Sequence, residues 1–290
     1  MSMASPPFPD GTGEIRRRAA AALRSLVGLL TGHYQTHRIT CFGWRFSQEI
    51  RECCSVRSTD QAAFHFFILM ETKECYGEAA IQDFVNHHFR AGKVLVLAHH
   101  MGRVRDLVKD RHRFYTQVRS AGVLLYAEDE ETAPVSPVSP DDWQETAGEQ
   151  FRTHFGLALG FFHGAKVQLE KSQLRICLFL LHQTMEQACI ALIRVFLGYR
   201  SDFHNLGRLL DLCSCFIRDP GDLFPRTTEK DRRLFQLLSK CYTEARYRQD
   251  FLVNEADCRD ILDAVGGFIS KTEDLCRDRL PDLRECVWTV

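Results

Sequence analysis

Two side chains in the C-terminal half, Arg200 and His204, are of types that can act on a phosphate group. An imidazole titrates near neutral pH, so a histidine can take a proton from a hydroxyl or give one to a leaving oxygen. A guanidinium can donate two hydrogen bonds to one phosphate. The pair therefore suits phosphodiester chemistry that needs no metal ion. The same spacing also fits a structural role, in which His204 caps the next helix or packs against a partner.

Histidines and cysteines that could bind a metal are numerous, but their spacing does not favour a site. The twelve cysteines include no CxxC pair and no zinc-finger spacing with histidine. His87-His88 and His99-His100 are adjacent residues, whose side chains point in different directions. We therefore predict no metal and no cofactor, and we expect the cysteines to be structural thiols in a reducing compartment.

The N-terminal part alternates between helical and strand-like patterns, which is typical of an α/β layer structure. The continuous apolar runs AAFHFFILM and KVLVLA have the length and composition of buried strands. The predicted helices are 14–30, 77–90 and 103–118, and the predicted strands are 38–42, 62–70, 93–98 and 123–126.

The C-terminal part contains only helical patterns. Residues 131–142 read ETAPVSPVSPDD, a composition typical of a linker because three prolines oppose helix. The fold class predicted is α+β, with an α/β domain over residues 1–130, a linker over 131–142 and an all-α bundle over 143–290. The predicted helices of the bundle are 149–169, 173–197, 204–216, 229–247 and 255–279, with Asn254 as the N-cap of the last.

The charge balance excludes some classes of protein. Lys plus Arg number 37 and Asp plus Glu number 38, so no strong overall field attracts nucleic acid or an anionic membrane. No apolar run approaches the roughly 20 residues that span a bilayer. The first residues lack a basic region followed by an apolar one, so we expect a cytoplasmic protein without membrane contact. The basic stretch 103–113 is either a solvated helix face or a patch that faces RNA.

The C-terminal half resembles the HEPN family of helical bundles over about residues 151–280. The family often shows a Gln followed three residues later by a Glu, then small and aliphatic residues, a loop and His-x-Leu. The segment 181–212 carries these features in the same order, and EARYRQDFLVNEADCRDIL resembles the Ala-Arg-Tyr turn and capped helix that follow. The residues that match are Gln183, Glu186, Ala188, Ala191, Leu192, His204 and Leu206.

HEPN proteins are often fused to small nucleotidyltransferases, and Ile39 to Gly43 resembles the strand that opens the substrate loop of that fold. An active member has Ser after this Gly and later offers an Asp-x-Asp pair for Mg²⁺. Here Trp44 follows the Gly, and the strand expected to carry the acids, residues 63–67, has none. The resemblance implies a degenerate nucleotidyltransferase-like domain, in which Gly43 and Arg45 are candidate ligand-binding residues.

Many HEPN proteins are ribonucleases with an Arg followed a few residues later by a His. The resemblance thus makes Arg200 and His204 candidate catalytic residues, although their spacer of three residues is shorter than usual. Arg246 either pairs with an acidic neighbour or contacts a phosphate, and we count it among the candidate ligand-binding residues. The family also implies a homodimer formed through the bundle.

These resemblances lead to three hypotheses. The first is a nucleotide- or RNA-binding module with an inactive nucleotidyltransferase-like half. The second is a metal-independent HEPN ribonuclease. The third is a protein–protein interaction module in which the inactive half docks a partner.

Overall fold

A computed structural model describes residues 13–53, 56–129, 135, 138–217, 223–247 and 253–280. Within these ranges, residues 47–53, 56–63, 140–142 and 243–247 are described by their backbone alone. The chain divides into two compact units, Met1–Val138 and Ser139–Val290, which we call the sheet unit and the helical unit.

The sheet unit contains a mixed four-stranded sheet in the order β3-β2-β1-β4. β1 pairs antiparallel with β2 and with β4, and β2 pairs parallel with β3. The elements are α1 (Gly13–His33), β1 (Thr36–Cys53), β2 (Val56–Thr72), α2 (Glu78–His88), β3 (Gly92–His100), α3 (Met101–Lys109), α4 (Arg113–Ala121) and β4 (Val123–Ala127).

One face of this sheet is covered by α1 and α2. Alternate residues of β2 point to this face, because side chains alternate across a strand. The core that they form with the two helices includes Leu23, Leu26, Leu30, Phe64, Phe66, Ile68, Met70, Ile81, Val85 and Val96. Gln82 also binds the backbone of β3, since its side chain donates to the carbonyl of Val94 at 2.7 Å and accepts from the N–H of Val96 at 2.9 Å.

Two sequence predictions for this unit are wrong in extent. The strand predicted to end before Gly43 continues to Cys53, where it forms a long hairpin with β2. Residues 47–53 of β1, SQEIREC, are largely polar, and their strand conformation is stabilised by backbone pairing with β2. The helix predicted over 103–118 is two helices, because Arg111 adopts a left-handed φ of 56° after α3.

The break between α3 and α4 is a Schellman turn. The N–H of His112 donates to the carbonyl of Leu107 at 2.8 Å, and that of Arg111 donates to the carbonyl of Val108 at 3.1 Å. Glycine usually occupies the left-handed position of this turn, so an arginine there gave no sequence signal.

The helical unit consists, in its described part, of five helices without a strand. They are α5 (Pro140–Glu170), α6 (Leu174–Leu197), α7 (Leu206–Cys213), α8 (Glu229–Tyr247) and α9 (Glu255–Arg279). The predicted fold class, α/β followed by an all-α bundle, is confirmed. α5 begins inside the predicted linker, because proline is accepted in the first turn, where its missing N–H would have no helical partner.

α6 is the central helix of this bundle and contacts α5, α7, α8 and α9. By length and composition it is the one helix among the described residues that could cross a membrane, but most of its surface is buried by its neighbours. A helix buried in this way forms the core of the bundle. Gly198 ends the helix in a left-handed conformation with a φ of 69°.

Candidate functional site

Glu186 is a buried carboxylate near the middle of α6 and organises the candidate site of the helical unit. Its residue is 3% exposed. One carboxylate oxygen, Oε1, lies 2.8 Å from His204 Nδ1, and the other lies 3.8 Å from His182 Nδ1 and 3.3 Å from Gln183 Nε2. A buried carboxylate is stable only when such partners replace water.

His204 lies in the loop between α6 and α7 and is held from two sides. Its Nδ1 meets Glu186, and its ring stacks at 6.1 Å on Tyr242 of α8. Tyr242 also stacks on His182 at 5.1 Å. The side chain of His204 is nevertheless 60% exposed. The imidazole is therefore fixed in orientation and accessible to a ligand.

The helix that follows His204, α7, is capped by the neighbouring Asn205 and not by His204. The side chain of Asn205 accepts a hydrogen bond from the N–H of Arg208 at 3.0 Å and is the N-cap of α7. The interpretation of His204 as a helix cap is therefore wrong. At the other end of the bundle, Asn254 caps α9 as predicted, by accepting from the N–H of Asp257.

Arginines cluster at the start of the same loop. Arg200 is largely exposed, and its Nε lies 3.8 Å from a carboxylate oxygen of Asp202. The Nε of Arg194, in the last turn of α6, is buried without a hydrogen bond among the described residues. Burial and then the positive charge of Arg200 lower the pKa of Arg194, while Asp202 opposes this. The two guanidiniums thus lie close enough to repel each other.

This arrangement can bind and act on an anion. An imidazole whose Nδ1–H is held by a carboxylate presents Nε2 as a proton acceptor. The structure brings His204 together with Glu186, but it shows no direct bond between His204 and Arg200. Sequence reasoning missed the role of Glu186. The available signal was that it is the single carboxylate in the 24 residues of α6 and must therefore find a partner.

The candidate residues of the sheet unit lie within β1. Gly43 is paired with Phe67 and Arg45 with His65, so neither lies in a loop at a strand end. His65 is paired in turn with Lys93 of β3. Burial, then Lys93 and Arg45, lower the pKa of His65 to about 4. These positions form a basic row across three strands, and ligand binding by Gly43 and Arg45 stays a prediction.

The strand expected to carry acids instead contributes to the core. Phe64 and Phe66 are buried under α1 and α2, and Phe67 is buried on the opposite face. His65 contacts the ring of Phe67 at 4.3 Å. The described side chains of this stretch therefore include no ligand for Mg²⁺.

The adjacent histidines have structural partners. His87 and His88 contact carbonyl oxygens one turn earlier in α2, and His100 caps α3 by accepting from the N–H of Gly102 at 3.2 Å. His99 packs edge-on against Tyr115 at 5.7 Å. The remaining candidate, Arg246, lies in the last turn of α8, and its side chain is outside the described residues.

Comparison with known proteins finds one family model that is similar to part of the helical unit. Residues 152–275 match the HEPN domain family. A similar solved structure is the crystal structure of a nucleotidyltransferase-like protein from Exiguobacterium sibiricum 255-15, at 12% identity and a TM-score of 0.31, covering 94% of this chain and 82% of that one. The score is low, so we infer nothing about activity from this similarity. No curated protein sequence matches the chain.

Proposed function

We propose that the chain is a module that binds a nucleotide or RNA through the loop after α6, since residues 152–275 match the HEPN domain family. The observation that carries this proposal is the pair of neighbouring guanidiniums, Arg194 and Arg200. The carboxylate of Asp202 compensates only one of these two positive charges, so a further anion beside them would be stabilised. A phosphate is the anion that guanidiniums bind best, through two parallel hydrogen bonds.

The neighbouring aromatic and imidazole rings support a nucleic-acid ligand. His204 is exposed and stacks on Tyr242, and Arg208 lies over the ring of Phe203 at 4.3 Å. Flat side chains next to cations are the elements with which proteins bind single-stranded RNA, because bases stack on the rings while cations contact phosphates.

Binding of a labelled single-stranded RNA to the full chain, followed by fluorescence anisotropy at several salt concentrations, tests the proposal. Arg200→Gln should weaken binding and reduce the slope of log K against log salt by roughly one, as expected for one lost phosphate contact. Arg259→Gln is the matched control, because Arg259 is an exposed arginine of the same unit that pairs with Glu255 on α9. Equal affinities for the two variants would contradict the proposal.

A second candidate function, metal-independent RNA cleavage, is favoured by one contact. The 2.8 Å contact from His204 Nδ1 to the buried Glu186 orients the ring for proton transfer through Nε2. If the chain cleaves RNA in the presence of a chelator, His204→Ala should lower the rate by about 10²–10⁴-fold while RNA binding persists. Binding without cleavage by the wild type would favour the module, and a folded chain that binds neither RNA nor nucleotide would favour an interaction role.

We do not extend the proposal to nucleotidyl transfer, since the described side chains of residues 64–67 offer no carboxylate. The proposal includes a homodimer formed through the helical bundle and a cytoplasmic location. Light scattering of the purified chain checks the first, with an expected mass of about twice 33.4 kDa.

A further inference from the structure

The helical unit contains the group formed by Glu186 and its histidines, and the sheet unit contains another group of one histidine and two carboxylates. It lies where β1 begins and β4 ends. His37 is the second residue of β1, and Glu128 and Asp129 directly follow β4. The N–H of Glu128 donates to the carbonyl of His37 at 3.0 Å, which continues the pairing of the two strands. Residues that are distant in sequence are thus held side by side by backbone hydrogen bonds.

His37 has an unusual environment for an imidazole. The residue is 4% exposed, and its Nδ1 is buried without a hydrogen bond. The nearest carboxylate oxygen, Oε2 of Glu128, lies 3.9 Å away, which is too long for a hydrogen bond. Burial of a polar atom without a partner costs free energy, so a ligand bound to this nitrogen would stabilise the fold.

The carboxylates around this nitrogen lie on its solvent side. One ligand atom each from His37, Glu128 and Asp129 lies within 4.8 Å of the other two. Glu128 uses its other oxygen, Oε1, in an ion pair with Lys73, so Oε2 is left on the side of His37. The ion pair with Lys73 compensates one of the two negative charges.

We propose that His37, Glu128 and Asp129 form a binding site for a divalent transition-metal ion, with Zn²⁺ as the best match. One imidazole nitrogen and two carboxylate oxygens suit Zn²⁺ and its neighbours, whereas Ca²⁺ and Mg²⁺ prefer oxygen ligands alone. Three protein ligands leave one position of a tetrahedral site for water. This site is independent of the function proposed for the helical unit.

Charge and geometry are both compatible with this ion. Two cations, Arg38 and Arg119, act on His37, but the guanidinium of Arg119 is bound at 3.0 Å by the buried Glu71. Zn²⁺ with ligands at about 2.0–2.2 Å requires the three atoms to approach each other. The part-exposed Glu128 can provide this movement by side-chain rotation while His37 stays fixed.

Calorimetric titration of the full chain with Zn²⁺, combined with thermal unfolding, tests the site. The wild type should bind Zn²⁺ and unfold at a higher temperature with it. Glu128→Gln and Asp129→Asn, which change surface carboxylates, should each weaken this binding by about 10-fold or more. Glu74→Gln is the matched control, because Glu74 is an exposed acid of the same unit bonded to Gln35 at 3.0 Å, and it should leave the affinity unchanged.

The cysteines of the chain require a second readout, since thiolates also bind Zn²⁺. Co²⁺ bound at the proposed site should give the visible spectrum of nitrogen and oxygen ligands without thiolate charge-transfer bands. His37→Gln should abolish this spectrum. Zn²⁺ binding that is absent, that is equal in all variants, or that Glu74→Gln weakens as much as Glu128→Gln would overturn the proposal.

Discussion

The two units each contain a histidine beside a glutamate, with the burial of the partners reversed. In the helical unit the carboxylate of Glu186 is 5% exposed and the imidazole of His204 is 60% exposed, at a distance of 2.8 Å. In the sheet unit the imidazole of His37 is 5% exposed and the carboxylate of Glu128 is 39% exposed, at 3.9 Å. The same two residue types therefore have different chemical capacities.

The difference shows that the buried partner decides what the pair can do. A buried carboxylate must stay paired, so Glu186 fixes an accessible imidazole for contact with a ligand or for proton transfer. A buried imidazole can stay neutral, so His37 directs a nitrogen lone pair toward carboxylates that a cation can reach.

A third imidazole, His65, shows how burial changes a pKa when the charged neighbours are cations and not a carboxylate. Its pKa of about 4 lies below its ordinary value of 6.5, so the unfolded chain binds a proton before the folded one does. The free energy of unfolding of the sheet unit should thus fall as the pH is lowered from about 6.5 to 4, by up to about 3 kcal/mol. Urea unfolding at pH 7 and pH 4.5 measures this.

His65→Gln provides the comparison for that measurement, because it removes the titrating ring and keeps a polar side chain. The variant should lose this part of the pH dependence. If wild type and variant lose the same free energy between the two pH values, burial and the neighbouring cations do not keep His65 neutral.

The coupling free energy between Glu186 and His204 measures how strongly the buried carboxylate holds the exposed imidazole. Glu186→Gln should lower the free energy of unfolding by about 2 kcal/mol, because it removes a charge-assisted hydrogen bond inside the bundle. A double-mutant cycle with His204→Ala should give a coupling of about 1–2 kcal/mol. The same cycle on His37 and Glu128 without metal should give almost none, and a similar coupling in both pairs would contradict the contrast.

The helix cap beside His204 gives the smallest effect. Asn205→Ala should lower stability by about 1 kcal/mol, because the N–H of Arg208 loses its acceptor. Thermal unfolding measures the loss, and RNA binding should persist because the imidazole is still held by Glu186. Unchanged stability would show that the start of α7 is fixed by packing alone.

The sequence predicted the helical unit well because its signals are local. The apolar periodicity of 174–197 and the acidic first turn after Asn254 each act within a few residues. The fold class followed from such patterns, and the HEPN resemblance rested on the order of the motif residues in the segment 181–212. The contact between Glu186 and His204 did not, because a loop must fold back along α6 to form it.

The sheet unit was harder to predict because its main features depend on pairing between distant segments. The polar half of β1 is a strand only through its pairing with β2, and Arg111 makes a turn that usually requires glycine. No metal site was predicted, since Glu128 and Asp129 lie far from His37 in the sequence. Its proposed partners come from the far end of the unit.

The pairing of β1 with β4 has a kinetic consequence. The helical hairpin of α5 and α6 closes over the short connection 171–173, whereas the pairing of β4 with β1 closes a loop that contains β2, α2, β3, α3 and α4. Contacts between distant segments form late in folding, because the loop that they close costs more entropy. We therefore expect His37 and Glu128 to meet after the transition state, so that a cation bound between them slows unfolding without accelerating folding.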